Sequence, residues 1–296
     1  RKKLKLKYKG ELAIAFSAVL FAVNSILVKI ISTDFSGSFI SLLRFIIGII
    51  LGYFFLRFSH VPIKVYDKKS WTLRGFFGAL GMITMYVSIS MTSSGRATLL
   101  SNTYPIFVAI FGFLFFKESI SIFSISSLVL CICGASFILW DGSHYAKLGD
   151  AIALISGITG GLAIIYLKKG SAVDHPIIIY LSTCIFGLIL FPFTLNEWEN
   201  LTFQSFLLIA LNSTIAFIAQ AFMTYGYKYT TAVKGSIISY FGIPLTLVFS
   251  YFFVGEVFKP KFFAGIILIL AGLFLTIFNA RDIKSTFKNK NISSRQ

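Results

Sequence analysis

The residues able to do acid–base chemistry are few and badly placed for catalysis. All eleven acids, Glu11, Asp34, Asp67, Glu118, Asp141, Asp150, Asp174, Glu197, Glu199, Glu256 and Asp282, fall at the ends of long apolar runs or between them. His60, His144 and His175 do the same. An enzyme needs an acid, base, nucleophile or metal cluster converging on one pocket. The chain has no H-E-x-x-H, no paired carboxylates within an apolar run, and no G-x-x-x-x-G-K-[ST] to hold ATP. Cys131, Cys133 and Cys184 lie inside apolar runs, where they read as small packing residues rather than a disulfide framework. No catalytic residue, metal or cofactor is expected. A proton-driven pump keeps an ionisable group at membrane depth. The absence of one with a useful pKa points to a passive carrier or exchanger.

The polar residues that do interrupt the apolar runs suit binding. Asn24, Ser25, Tyr86, Asn102, Tyr104, Asn212, Gln220, Tyr225 and Tyr240 are neutral amides, hydroxyls and phenols. Together they fit a zwitterionic or neutral polar ligand with aromatic walls. Arg44 either binds a substrate carboxylate or ties its helix to backbone carbonyls or Asp34, and the tether is favoured. Lys29 is close enough to the outer face to snorkel. Pro105 and Pro244 each delete a helical hydrogen bond and free a carbonyl one turn earlier, that of Ser101 or Tyr240. In lipid such a carbonyl needs a partner or a wet cavity. The expected substrate-binding set is therefore Asn24, Arg44, Tyr86, Ser101, Asn102, Tyr104, Pro105, Gln220, Tyr225, Tyr240 and Pro244. Glu118 and Glu256 follow the two proline-bearing runs and are expected to cap tight helix–helix turns, because an acid is favoured at the start of the next helix.

The elements that position these residues are membrane spans. The 296 residues are 56% hydrophobic and only 13% charged, where a soluble domain carries roughly twice that charge. Apolar runs occur near 11–32, 37–57, 71–91, 97–116, 120–140, 150–168, 175–194, 203–226, 232–254 and 261–279. At about 20 residues each, they match a bilayer core of roughly 30 Å. Barrel strands would be half as long and would alternate. The expected fold is an all-α integral membrane protein of ten transmembrane helices. The first run follows the basic stretch "RKKLKLKYKG". It is longer than a signal-peptide core and is expected to be retained as the first helix.

Charge sets the expected orientation. With the N-terminus inside, the basic tails, the 2–3 connection (Arg57, Lys64, Lys68, Lys69, Arg74) and the even-to-odd turns hold most of the 27 Lys and Arg residues. Only Arg96, Lys147, Lys259 and Lys261 fall outside. This asymmetry places both termini in the cytoplasm. It also explains the net charge of +16 by topology and anionic lipid, so no nucleic-acid partner is expected. Trp71, Trp140 and Trp198 fall at span ends, where interfacial belts form.

The chain repeats itself. Displaced by 139 residues, Gly10 meets Gly149, Lys29 meets Lys168, Gly48 meets Gly187, Tyr86 meets Tyr225 and Pro105 meets Pro244. One gap later Glu118 meets Glu256 and Gly134 meets Gly272. Two units of five helices enter the membrane from opposite sides, the inverted repeat of many secondary transporters. The units are read as 11–141 and 148–280, flanked by basic cytoplasmic tails at 1–10 and 281–296.

Ten helices as 5+5, "LLRF" in the second helix, a proline near the start of helices four and nine, and the acids of "FFKES" and "FVGEV" resemble the EamA-type drug/metabolite transporters. The first helix has "FAVN" where that family has an aromatic-Gly pair. The resemblance implies export or exchange of small metabolites, often amino acids, through a central cavity between the halves. The expected protein is a secondary transporter in the plasma (inner) membrane, moving an amino acid or derivative by alternating access, with the lipid bilayer and a small-molecule substrate as its partners. A multidrug or nucleotide-type carrier is the alternative, and a nucleotide would need several midplane cations where the sequence offers Arg44 alone. A membrane scaffold or enzyme is the further alternative.

Overall fold

The computed structural model describes residues 8–92, 94–116, 122–139, 147–255 and 261–279. These residues form α-helices and no strand: α1 (Lys9–Ile31), α2 (Gly37–Phe58), α3 (Lys68–Met91), α4 (Ser94–Ser101), α5 (Tyr104–Phe116), α6 (Ile122–Leu139), α7 (Lys147–Gly170), α8 (Pro176–Gly187), α9 (Phe203–Tyr229), α10 (Ala232–Ser239), α11 (Gly242–Val254) and α12 (Lys261–Asn279). Among the described residues, seven helical segments are long and apolar enough to cross a bilayer, and shorter apolar helices accompany them. Large side chains face outward as freely as inward. Phe58, Phe193, Phe203, Phe252 and Phe253 are 71% to 78% exposed, as a protein surface solvated by lipid allows.

Two expected spans are broken rather than kinked. The run at 97–116 divides into α4 and α5 at Asn102–Thr103, and the run at 232–254 divides into α10 and α11 at Tyr240–Phe241. Local side chains compete for the backbone at the first break. Asn102 Nδ2 donates to the Thr98 carbonyl at 2.6 Å and Thr103 Oγ1 to the Leu100 carbonyl at 2.7 Å. Pro105 is the second residue of α5, where the missing N–H costs little. At the second break the chain tightens into i→i−3 bonds. Tyr240 N–H donates to the Ile237 carbonyl at 3.0 Å and Phe241 N–H to the Ile238 carbonyl at 3.1 Å. Pro244 therefore does not free the Tyr240 carbonyl, which accepts from Ile243 N–H at 3.0 Å. A third departure is in the run at 175–194. Its α-helix stops at Gly187, packed against the Phe45 ring, and continues as 3-10 turns at Leu188–Phe193 and Leu195–Asn200.

Polar groups fix the helix ends. Ser36 Oγ and Thr202 Oγ1 cap α2 and α9. Glu197 accepts from the Ser36 N–H at 2.7 Å and its hydroxyl at 2.5 Å, tying the second 3-10 turn to the start of α2. Glu11, in the first turn of α1, pairs with Lys234 at 2.5 Å. Glu118 and Glu256 lie outside the described residues. Lys29 does not snorkel. Its Nζ donates to the carbonyls of Thr92 at 2.7 Å and Ile89 at 3.3 Å, at the end of α3. Lys168 Nζ likewise donates to the carbonyls of Tyr227 at 2.8 Å and Lys228 at 3.5 Å, at the end of α9. A cation there complements the helix dipole and satisfies carbonyls that have no intrahelical partner.

Packing follows a paired scheme. α1 lies against α9 and α3 against α7; α1 also packs on α11 and α5 on α7; α6 lies against α12. Small residues set the spacing of the first pair. A Cβ on Gly10 would sit 2.8 Å from the Gly226 carbonyl oxygen, and one on Gly226 would sit 2.7 Å from that of Gly10. The two backbones touch, which any larger side chain would prevent.

Candidate functional site

Helices α1, α2, α3, α7 and α9, with the broken pairs α4–α5 and α10–α11, line a cavity of about 160 Å³. At roughly 10–15 Å³ per water on this measure, it holds on the order of ten waters. Its wall comes from residues before and after position 140: Asn24, Arg44 and Ser101 from the first part, Ser156, Gln220 and Thr246 from the second.

A chain of side-chain hydrogen bonds runs behind this wall. Arg44 Nη1 donates to the Tyr86 hydroxyl at 2.8 Å, which donates to Asn24 Oδ1 at 2.8 Å. Asn24 Nδ2 then donates to Asn212 Oδ1 at 2.6 Å. All four residues are buried, so α2, α3, α1 and α9 are joined through polar groups in an otherwise apolar interior. The tether expected for Arg44 is therefore real, but its partner is Tyr86 rather than Asp34. The network leaves groups over. Arg44 Nε and Nη2, Thr98 Oγ1, Asn212 Nδ2 and both polar atoms of Gln220 are buried without a hydrogen-bond partner. Buried polar groups without a protein partner are rare in folded proteins, and a bound water or ion is one thing that satisfies them.

Arg74 corrects the sequence reading most. The charge pattern places it in the 2–3 connection, yet it lies within α3, is 2% exposed and lines the cavity. A Cβ on Gly78 would collide with its guanidinium, so the side chain lies along its own helix over that glycine. The signal was present in the sequence. Arg74, Gly78, Gly81 and Met85 recur at helical spacing and form one face, and all four border the cavity. The neighbouring Lys68 and Lys69 made the residue look like part of a charged loop.

Of the expected binding residues, Asn24, Arg44, Ser101, Asn102, Tyr104 and Gln220 line the cavity, while Tyr86 supports it from behind. The remaining four neither line nor support it. Tyr225 points outward, 38% exposed, with its ring centroid 5.0 Å from that of Tyr229. The helical period turns it to the far side of α9 from the buried Gln220 and Met223. Tyr240 is packed into the apolar cluster with Ile237, Ile243 and Leu247. Pro105 and Pro244 are buried beside the helix breaks and do not border the cavity. Besides Arg74, the sequence reading missed Thr98, Ser156, Ser239 and Thr246, single hydroxyls with no pattern to mark them. Among the described residues no carboxylate or histidine lines the cavity, and no group of His, Cys, Asp or Glu could hold a metal. The arrangement can bind and orient a polar ligand.

Comparison with known proteins agrees with this geometry. The model of the EamA-like transporter family matches twice, at residues 8–140 and 147–278. The pseudopaline exporter CntI of Pseudomonas aeruginosa is 24% identical over 270 residues, covering 90% of this chain and 95% of its own. A probable amino-acid metabolite efflux pump of Salmonella typhimurium is 22% identical, covering 89% and 93%. The mouse solute carrier family 35 member G1 is 26% identical over 62% of this chain and 54% of its own. A solved crystal structure superposes with a TM-score of 0.72 over 94% of this chain and 99% of its own at 15% identity, a likeness of fold. With both halves matched and a cavity that carries polar side chains among apolar helices, the chain is a multi-pass membrane protein that belongs to the EamA-like transporter family.

Proposed function

We propose that the protein is a secondary carrier, not an enzyme, that exports or exchanges a small polar organic metabolite, an amino acid or derivative, across the plasma (inner) membrane. The observation that carries this reading is the cavity among the helices, lined by polar side chains from both family-matched halves. The names of the Pseudomonas and Salmonella relatives support a metabolite exporter.

On this reading the chain makes ten passes as two inverted units, 11–141 and 148–280, with both termini cytoplasmic. Three observations support the inversion. Under the offset of 139 that aligns the repeats, the contact of Lys29 with the Ile89 carbonyl becomes that of Lys168 with the Lys228 carbonyl. The helix breaks fall at matching places. The packing of α1 on α9 corresponds to that of α7 on α3. The two units then rock against each other to open the cavity to alternate faces. Purified protein in proteoliposomes should exchange labelled amino acids against unlabelled counter-substrate without ATP. Absence of exchange across a panel of polar metabolites would refute the carrier reading.

A further inference from the structure

Helices α2, α3 and α8 pack on one another, and two like charges meet at their junction. Arg44 of α2 and Arg74 of α3 are each 2% exposed. Tyr180 and Cys184 of α8 are electrostatic neighbours of both guanidiniums, and Arg44 is itself a neighbour of Arg74. Among the described residues neither arginine forms an ion pair with an acid.

Two glycines let the third helix come close. Gly48 and Gly78 each follow one of these arginines by four residues, one helical turn on the same face. A Cβ on Gly48 would sit 2.5 Å from the Tyr180 hydroxyl and 2.9 Å from Cys184 Sγ. One on Gly78 would collide with Arg74 Nη1 and lie 2.7 Å from Thr183 Oγ1. Helix α8 thus lays two hydroxyls against the turns that carry the guanidiniums.

Five polar atoms of this junction have no hydrogen-bond partner: Arg44 Nε and Nη2, Arg74 Nε, the Tyr180 hydroxyl and Thr183 Oγ1. They are sealed from the cavity as well as from the outside, so a molecule in the cavity does not reach them. The three guanidinium atoms can only donate, and each hydroxyl has a proton to give. What the junction lacks is an acceptor. A water offers two lone pairs and no charge. It cannot serve three charged N–H groups, and it leaves two buried cations uncompensated, which is costly at membrane depth. An anion supplies both the lone pairs and the charge. Closure toward the cavity favours a small free ion over the carboxylate of a transported molecule.

We infer that the junction of α2, α3 and α8 binds one small monovalent inorganic anion of the chloride class, shared by Arg44 and Arg74 and completed by the hydroxyls of Tyr180 and Thr183. The ion lies behind the cavity wall and holds three helices together. The inference goes beyond the carrier reading and does not depend on what the cavity carries.

The test follows thermal unfolding of the purified full chain in neutral detergent. Sodium gluconate, whose anion is too large for the junction, is exchanged for chloride, bromide or sulfate at constant ionic strength. Chloride and bromide should raise the midpoint saturably, by about 5 °C. Sulfate separates this from a general salt effect, which would be strongest in sulfate and would not saturate. Arg74→Gln should abolish the chloride response. Thr183→Val and Tyr180→Phe keep charge and shape, and each should weaken chloride about tenfold by removing one charge-assisted hydrogen bond. They keep the test open should Arg74→Gln not fold. Crystals grown in bromide should show its anomalous peak beside both guanidiniums. A midpoint indifferent to halide, as a water in the junction would give, overturns the inference. So does a halide response that all three variants retain, or a bromide peak elsewhere only. Transport activity enters none of these outcomes, so the carrier reading stands or falls separately.

Discussion

Tyr86→Phe isolates the polar chain at the centre of the molecule. The substitution removes one oxygen and keeps the ring, so packing within α3 is preserved. Two hydrogen bonds disappear, Arg44 Nη1 to the hydroxyl and the hydroxyl to Asn24 Oδ1, both 2.8 Å. A hydrogen bond to a charged group contributes about 1.5–3 kcal/mol, whereas neutral interhelical bonds in membrane proteins average about 0.6 kcal/mol. The lower ends together make about 2 kcal/mol, close to a 30-fold change in the folded-to-unfolded ratio. Tyr225→Phe is the matched control, since Tyr225 stands at the equivalent position of the second repeat but is 38% exposed. It should cost less than about 0.5 kcal/mol. Unfolding of both variants in mixed micelles, followed by tryptophan fluorescence, gives the comparison. If Tyr225→Phe cost as much as Tyr86→Phe, or if Tyr86→Phe cost nothing measurable, the network would not be holding α1, α2 and α3 together.

Lys29→Met and Lys168→Met should each lower the thermal midpoint, by an equivalent of about 1 kcal/mol, because each removes a cation from carbonyls at a helix end; a loss in only one of them would contradict the equivalence of the two contacts. Acid should probe Asp67, whose carboxyl is held below the usual aspartate value by the neighbouring Ser70, whose side chain lies beside it and whose N–H donates to it at 3.0 Å at the start of α3. The folded state binds its proton less readily than the unfolded state. Its contribution is therefore complete above the unfolded value of about 3.9 and is lost as pH falls through the lower folded value. Asp67→Asn should be less stable than wild type at pH 6 and should flatten the stability profile below about pH 4, as read by thermal unfolding across that range.

How much of this was legible beforehand depends on how local each determinant is. The bilayer demands about 20 apolar residues per crossing, a constraint each segment meets by itself, and the described helices accordingly follow the expected runs. The repeat was legible because Gly, Lys, Tyr and Pro align under a single offset, and the family match divides the chain at the same place. That Asn24, Arg44 and Gln220 would line an internal cavity was legible because a polar group in lipid has few purposes. Arg74 was not, because beside Lys68 and Lys69 it reads as part of the charged 2–3 connection.

The sequence by itself determined that the chain is a set of long apolar helices in two matching halves, and which polar residues interrupt them, because hydropathy and repeat register are properties of the chain read in order. Only the tertiary structure decided which of those residues meet. Tyr86 and Tyr225 occupy equivalent positions in the repeat, yet one bridges Arg44 to Asn24 and the other faces outward. Proline marked both interrupted helices, but i→i−3 bonds and the competing amide of Asn102 decided where the chain breaks. Whether a buried guanidinium is paired depends on side chains brought from other helices. That is a property of packing, and no window along the sequence contains it.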